Sequence, residues 1–195
     1  YLCIVKERFP RIISTRNYHQ TKGEYFGPYT SVVSMNSVLE LVRQLYTIRT
    51  CNLLLSEMNI RDNKFKVCLE YHIGNCKGPC VGLQDEPSYL EDIELARNIL
   101  KGNLSVVINY FQGHMRDAAK ELNFEIAEQF KKKLTLLEKF QTKSQVVNMR
   151  LTDIDVFTIT SSTRHAFINY LQIKEGAIIF SENIEVKKKL EEMKA

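Results

Sequence analysis

Residues 49–82 read RTCNLLLSEMNIRDNKFKVCLEYHIGNCKGPCVG and contain four of the five cysteines in the chain. These four are Cys51, Cys68, Cys76 and Cys80, and their spacing is C-x16-C-x7-C-x3-C. Cytosolic proteins rarely keep structural disulfides, so clustered thiols favour a metal ion or a metal cluster. The spacing matches neither paired C-x2-C zinc knuckles nor the two ferredoxin patterns, so it does not identify the metal. The alternative is four unrelated thiols, because free cysteine often behaves as a small buried hydrophobe.

The composition is that of an ordinary soluble globular protein, with 44% hydrophobic and 26% charged residues among 195. A net charge of +4 is compatible with a nucleic-acid partner but does not establish one. No apolar run approaches the roughly 20 residues that span a bilayer, and the N-terminus lacks a signal-peptide pattern. We therefore expect a cytoplasmic protein without a membrane partner. Because the chain starts at Tyr1 directly on a strand-like run and ends without a helix cap, we also expect a segment of a longer protein.

Hydrophobic periodicity predicts an α+β chain in several parts. These parts are short N-terminal strands, a helical cysteine-rich middle, an antiparallel helical hairpin and a small C-terminal antiparallel sheet. Ser34 is the predicted N-cap of the first helix, because a serine hydroxyl can accept from a free N–H of the first turn. Asp85 is the predicted cap of the next long helix, and Gly102 is its predicted C-terminal stop.

A helical hairpin is predicted over residues 104–140, with Asn123 at its turn because asparagine tolerates the left-handed conformation. Two helices of this length bury little by themselves. The hairpin must therefore dock on its own chain, on a second copy or on a partner. We interpret Lys131, Lys132 and Lys133 as a solvated helix face.

Alternating residues after the hairpin predict strands that turn at Glu175-Gly176, followed by a charged, helix-prone tail from Val186. Asp153 and Asp155 form a D-x-D pair that could hold a divalent cation, but at the start of a strand we interpret them as the end of the preceding linker. The sequence contains no convincing catalytic constellation, no glycine-rich phosphate loop and no serine nucleophile elbow. We therefore predict no active site and no small-molecule substrate for this chain.

Six segments occur in a recognisable order: FPRI, YFGPY, LVRQLY, RTC, CLEYHIGNCKGPCVG and ELNFEIAEQFKKKL. In this order they resemble the central part of the UvrC family, the nuclease subunits of the bacterial UvrABC excision-repair system. The resemblance covers essentially the whole chain, and its most specific piece is residues 68–82. It implies a parent protein that incises damaged DNA on both sides of a lesion, with both nuclease active sites outside this chain.

The resemblance implies four parts of the chain, each with its own role in the parent protein. Residues 1–30 would end a GIY-YIG nuclease domain, and residues 31–103 would form a helical cysteine-rich domain. Residues 104–145 would form the UVR hairpin, and residues 146–195 would begin an RNase H-like region. The four cysteines would hold an iron–sulfur cluster, [4Fe–4S], with zinc or a site emptied by aerobic preparation as the alternatives.

The resemblance also implies two partners, UvrB and damaged double-stranded DNA. UvrB would contact the hairpin at Phe111, Met115, Leu122, Phe124, Glu125, Ala127, Phe130, Lys131 and Leu134. DNA phosphates would contact cations near the cysteines, namely Arg49, Arg61, Lys64, Lys66 and Lys77. The hairpin departs from the family pattern, because Gln129 and Lys131 replace the usual arginines and Lys132 replaces an acidic residue.

A second hypothesis belongs to a different class: a stand-alone zinc-binding interaction module whose helical hairpin dimerises. It predicts a tetrahedral site of four thiolates without iron. Nuclease motifs in the flanking gene sequence would favour the first hypothesis, and a natural start near Tyr1 would favour the second.

Overall fold

The computed structural model describes residues 1–19, 22–29, 31–143, 153–174 and 177–188. Within them the strands are β1 (Leu2–Val5), β2 (Ile12–Ser14), β3 (Gly23–Phe26), β4 (Asp153–Ser161), β5 (His165–Lys174) and β6 (Ala177–Lys187). The helices are α1 (Val32–Leu45), α2 (Glu57–Arg61), α3 (Leu69–His72), α4 (Glu86–Leu100), α5 (Leu104–Lys120) and α6 (Phe124–Lys143). Two antiparallel sheets are separated in sequence by helices, so the predicted α+β class is confirmed.

The N-terminal sheet has the strand order β2-β1-β3, and its strand pairs are antiparallel. In β1, Leu2 and Ile4 are buried on the core side, and Cys3 between them belongs to the opposite face. Cys3 pairs with Ile13 on one side and with Tyr25 on the other, so these three residues share the outer face. The two predicted N-terminal strands are therefore confirmed, and β3 completes the sheet.

Helix α1 begins before its predicted N-cap. Ser31 is the cap, and its Oγ accepts from the Ser34 N–H at 3.0 Å. The prediction of Ser34 as the cap is wrong, because Ser34 is the third residue of the helix and supplies one of the free N–H groups that a cap satisfies. The helix ends at Leu45, with Tyr46 as its C-cap.

Helix α4 follows its predicted boundaries. The Asp85 Oδ2 accepts from the Ser88 N–H at 3.0 Å, and Gly102 lies just beyond the helix with a φ of 79°. Tyr89 on α4 is fully buried, and its hydroxyl donates to the Pro10 carbonyl at 2.7 Å. This helix therefore ties the cysteine-rich middle to the N-terminal strands, and both contribute to one hydrophobic core.

Helices α5 and α6 form the predicted hairpin, and a Schellman motif makes its turn. The Asn123 N–H donates to the Ala118 carbonyl at 2.8 Å, and the Leu122 N–H donates to the Ala119 carbonyl at 3.1 Å. The left-handed residue is Leu122, with a φ of 60°, so the prediction that Asn123 takes this conformation is wrong. Asn123 instead caps α6, because its Oδ1 accepts from the Ile126 N–H at 3.4 Å. None of the described helices, this hairpin included, has the length and apolar character to cross a bilayer.

The C-terminal sheet has the order β4-β5-β6 with antiparallel pairs, so the predicted C-terminal sheet is confirmed. Strand β6 runs on to Lys187, and Val186 pairs with Ala166. The prediction of a helix-prone tail from Val186 is therefore wrong for Val186 and Lys187, because both belong to β6. Residues 189–195 and the predicted turn at Glu175-Gly176 lie outside the described residues.

Candidate functional site

The four predicted ligand cysteines lie around one small pocket. Cys51 comes from the loop after α1, Cys68 is the N-cap residue of α3, and Cys76 and Cys80 follow α3. Cys76 and Cys80 are buried, Cys51 is half-buried and Cys68 is exposed. The fold therefore brings together the set that the sequence spacing singled out, and it leaves Cys3 apart in β1.

Local backbone chemistry holds the last two cysteines in place. Gly78 lies between them and has a φ of 72°, a left-handed conformation that glycine adopts without strain. A Cβ at this position would lie 3.1 Å from the Tyr71 ring, so a larger residue would also crowd the pocket wall. The Gly78 N–H donates to the Cys76 Sγ at 3.5 Å. A donor aimed at a cysteine sulfur stabilises the negative charge of a thiolate.

Burial raises the pKa of the Cys76 and Cys80 thiols above the ordinary cysteine value. The thiol of Cys51 raises the pKa of both further, so these three sulfurs lie within electrostatic reach of one another. The Gly78 N–H and the Arg49 guanidinium lower the pKa of Cys76 in opposition to its burial. Because the raised pKa keeps these thiols protonated at neutral pH, a metal that binds them must displace protons.

In the part of the chain that the structure describes, no three or more His, Cys, Asp or Glu side chains converge at the spacing of a metal-ion site. The four thiols thus share a pocket without meeting at a single point. Four thiolates on one zinc ion would lie about 3.8 Å apart, given a Zn–S bond of about 2.3 Å, whereas a cluster separates its thiolates by iron and sulfide atoms. A set of four soft thiol donors fits either group chemically.

Asp153 and Asp155 lie on β4, as expected for residues at the start of a strand. The Asp155 carboxylate accepts from the Tyr170 hydroxyl at 2.9 Å, which is a contact across the β4–β5 pair. Neither aspartate belongs to a group of potential metal ligands among the described residues. Both residues therefore lie within the strand and not in the linker before it.

Arg49 is an internal residue, which argues against its predicted contact with DNA. It is 2% exposed. The guanidinium donates to three backbone carbonyls, those of Phe9 at 2.8 Å, Cys51 at 2.9 Å and Leu53 at 3.0 Å. It also pairs with the Glu7 carboxylate and donates to the Cys51 Sγ at 3.7 Å. Because its donors are used within the chain, Arg49 orients the Cys51 segment and presents no free face to a phosphate.

The other four predicted DNA contacts are accessible, and their role stays a prediction. Arg61 and Lys64 lie at and after the end of α2, and 73% of the Arg61 side chain is exposed. Lys66 is exposed on the rim of the cysteine pocket. The Lys77 Nζ lies 3.7 Å from an Asp92 carboxylate oxygen, so this ammonium already has a partner within the chain.

The hairpin has a base that packs on this chain and a tip that does not. Phe111 is 1% exposed and Leu134 is 8% exposed, and both belong to the main core. Their side chains are already buried against the chain itself, which argues against their predicted contact with UvrB. At the tip, Leu122 is 74% exposed and Phe124 is 64% exposed. Ile126 beside them is 41% exposed, and sequence reasoning missed it because it was assigned no face of the hairpin.

The remaining predicted UvrB contacts divide in the same way. Met115 and Phe130 are partly buried and pack against the core. Ala127 is half-buried, whereas Glu125 and Lys131 are exposed. The accessible part of the predicted set therefore lies toward the tip, where an exposed apolar surface has charged residues beside it. Exposed apolar surface of this kind typically marks a partner site.

Lys133 on α6 is half-buried, so its prediction as a solvated residue is wrong. Its neighbours Lys131 and Lys132 are exposed as predicted. Its Nζ lies 5.2 Å from the centre of the Phe111 ring, within the range of a cation–π contact. Burial lowers the pKa of this ammonium, and the Asp92 carboxylate on α4 opposes that shift. Because Asp92 also lies beside Lys77, it connects the cysteine loop electrostatically to the hairpin.

Comparison with known proteins gives the chain a family. A family model described as the UvrC/Cho excinuclease middle domain matches residues 1–99. The chain belongs to this family. The predicted resemblance to the central part of UvrC is therefore confirmed. No solved structure matches the chain significantly.

Relatives named UvrABC system protein C extend the similarity to UvrC over nearly the whole chain. The protein of Christiangramia forsetii is 46% identical over 192 residues, which are 98% of this chain and 32% of the relative. The protein of Flavobacterium johnsoniae is 47% identical over 192 residues, again 98% of this chain and 32% of the relative. The protein of Bacteroides fragilis is 47% identical over 194 residues, 99% of this chain and 32% of the relative. The chain thus spans about a third of the length of these UvrC relatives.

Proposed function

We propose that this chain is the central part of the nuclease subunit of a nucleotide excision repair system, which incises damaged DNA on both sides of a lesion. The observation that carries the proposal is the similarity, over nearly the whole chain, to relatives named UvrABC system protein C. In this proposal the chain links two nuclease domains, and both active sites lie outside it. The domain boundaries after residues 30, 103 and 145 and a cytoplasmic location belong to the same proposal.

The four cysteines hold the cofactor in this proposal, and [4Fe–4S] is favoured over zinc. Four thiols around one pocket support a thiolate-bound group. Arg49 holds the Cys51 backbone in place, and the Gly78 N–H is positioned to donate to the Cys76 sulfur. When bound, such a group cross-links residues 51–80, a segment whose own helices are too short to be stable by themselves.

The hairpin tip is the proposed contact with UvrB. Leu122, Phe124 and Ile126 expose apolar side chains there, while the base of the hairpin is held by the core of this chain. A second amphipathic hairpin could bury this surface by packing against it. Damaged double-stranded DNA is the proposed nucleic-acid partner, contacted by the exposed cations beside the cysteine segment.

The cofactor proposal is tested by purifying the chain without oxygen and measuring iron, sulfide and zinc together with the visible absorption spectrum. Iron with matching sulfide would support the cluster. Stoichiometric zinc alone would keep the four-cysteine site and refute the cluster, and a folded chain without either metal would refute both. Cys3→Ser is the matched control, because Cys3 lies outside the cysteine pocket and its replacement should leave the metal content unchanged.

The repair proposal is tested in the full-length protein, combined with the other subunits of the system and a duplex that carries one lesion. Incision on both sides of the lesion is the expected result. Failure to cut on either side, with all subunits folded, would refute the proposed function whatever the metal content.

A further inference from the structure

The outer face of the N-terminal sheet carries a groove that lies apart from the cysteine pocket and the hairpin tip. Because Leu2 and Ile4 turn into the core, Cys3 and Val5 belong to the opposite side of β1. A groove of about 530 Å³ lies over that side, and Cys3, Val5 and Ile13 are among the residues that line it. Cys3 itself is buried, so Val5 and Ile13 supply the accessible apolar surface of the groove.

Positive charge along this groove exceeds negative charge. Lys6, Arg11 and Lys22 line the groove, and among its described residues Glu7 is the one acidic member. Glu7 is shared by Arg11, at 2.6 Å, and by Arg49. The Lys6 N–H donates to the Lys22 carbonyl at 2.9 Å, so these two exposed lysines lie side by side at one end of the sheet. No ion pair found between described residues includes either lysine, so both charges are available to an anionic ligand.

Exposed aromatic rings lie toward the other end of the same face. Tyr18 is 58% exposed, and its ring centre is 4.7 Å from that of Tyr25. The Tyr1 ring centre lies 6.2 Å from each of these two rings. From Tyr1 to Lys6 the chain extends about 17 Å, at about 3.3 Å per residue. This length is about five times the 3.4 Å rise per nucleotide along one DNA strand, so a short strand could reach both the rings and the lysines.

We propose that this groove binds a single strand of DNA, with phosphates on Lys6 and Lys22 and a base stacked on Tyr18. The choice of DNA rests on the proposed repair function, whereas the groove itself selects a polyanion that has flat apolar faces. A cationic track combined with aromatic rings is how proteins hold single strands without sequence preference. The bases of an intact duplex are stacked on one another, so Tyr18 could stack only on a base that has left the duplex.

The test measures binding of a fluorescein-labelled single-stranded oligonucleotide to the full-length protein, as fluorescence anisotropy over a series of salt concentrations. Replacing Lys6 and Lys22 by alanine should reduce the slope of log K against log salt by about 1.4, because each phosphate contact with a single strand contributes about 0.7. At about 0.1 M salt this is an affinity loss on the order of 25-fold. Tyr18→Ala should weaken binding about fivefold or more, and Tyr18→Phe should preserve it because the ring still stacks.

The matched control is the double variant Lys132→Ala with Lys187→Ala, which removes two exposed lysines from other parts of the chain. Equal losses in the control and in the groove variant would overturn the proposal in favour of net charge alone. An unchanged salt slope in the groove variant of a protein that binds the strand would overturn the groove and leave the repair function standing. A wild-type protein that binds no DNA would contradict the repair function itself. An effect on a duplex of the same sequence, without an effect on the single strand, would overturn the choice of a single strand.

Discussion

Replacing Arg49 by alanine should destabilise the fold and empty the cysteine site together. Arg49 is 2% exposed, and its guanidinium donates to the carbonyls of Phe9, Cys51 and Leu53 at 2.8, 2.9 and 3.0 Å. It also neutralises Glu7, whose side chain is 24% exposed. The substitution would leave three carbonyls and a carboxylate without this donor, in a part of the chain that water barely reaches.

The expected loss follows from these contacts. Each hydrogen bond from a charged donor contributes about 1.5–3 kcal/mol to stability, and breaking a buried charge pair costs about 3–5 kcal/mol. These contributions overlap, and water can partly hydrate Glu7, so we expect Arg49→Ala to lower the free energy of unfolding by about 3–5 kcal/mol. Arg49→Lys keeps the charge but not the fork of donors, so its loss should be intermediate. Losses of this size are a large part of a typical domain stability of about 5–15 kcal/mol.

Urea denaturation followed by circular dichroism measures the loss, and iron and zinc content measure the effect on the cysteines. Arg61→Ala is the matched control, because 73% of the Arg61 side chain is exposed and its removal should change stability by about 0.5 kcal/mol or less. Equal denaturation midpoints for the Arg49 and Arg61 variants would refute the internal role of Arg49. If the Arg49 variant is stable and its DNA binding depends less on salt than that of the wild type, Arg49 would be a phosphate contact after all.

Three further predictions concern the cysteines, the hairpin and the buried lysine. Cys76→Ser and Cys80→Ser should each abolish metal retention, because an incomplete thiolate set admits solvent, and full metal content in either variant would remove that cysteine from the ligands. Phe124→Ala should weaken binding to UvrB by up to a few kcal/mol, seen as weaker co-purification, without changing the melting temperature. Phe111→Ala should instead cost about 3–5 kcal/mol of fold stability. The opposite pattern would contradict the division of the hairpin into base and tip. Burial lowers the pKa of Lys133 in the folded chain below its ordinary value of 10.5. Between the folded and unfolded pKa the unfolded chain binds more protons than the folded chain. The stability of the wild type relative to Lys133→Met should therefore rise with pH. Urea midpoints at neutral pH and at about pH 10 check this sign, and a relative stability that falls would contradict it.

The sequence by itself determined the features that depend on bonds between near neighbours. Helix α4 starts at the predicted cap Asp85 and stops at Gly102, because the bond to the Ser88 N–H and the left-handed glycine each act within about one helical turn. Where two residues offer the same chemistry, local reasoning chose the wrong one. Ser31 rather than Ser34 caps α1, although both hydroxyls could serve.

The cysteine site was predicted from the sequence in part. Its members could be found from the sequence, because four of the five cysteines fall within residues 49–82 and three of them lie close to glycine or proline. The pocket that the four cysteines share could not be predicted from the sequence. It also needs Arg49, which is held in turn by Glu7 and the Phe9 carbonyl. Whether the pocket holds a cluster or zinc depends on sulfur positions that the spacing does not determine.

The tertiary structure alone decided which charged and aromatic side chains face solvent. Arg49 is bound by residues 40 and 42 positions away, Phe9 and Glu7, so no residue near it in sequence marks it as buried. Phe111 and Phe124 are both aromatic residues of one amphipathic hairpin, yet the first lies in the core and the second in solvent. Helices α1 and α4 cover the base of that hairpin and leave its tip free. Caps and turns form from bonds a few residues apart, whereas burial is created by segments that meet only when the whole chain has folded.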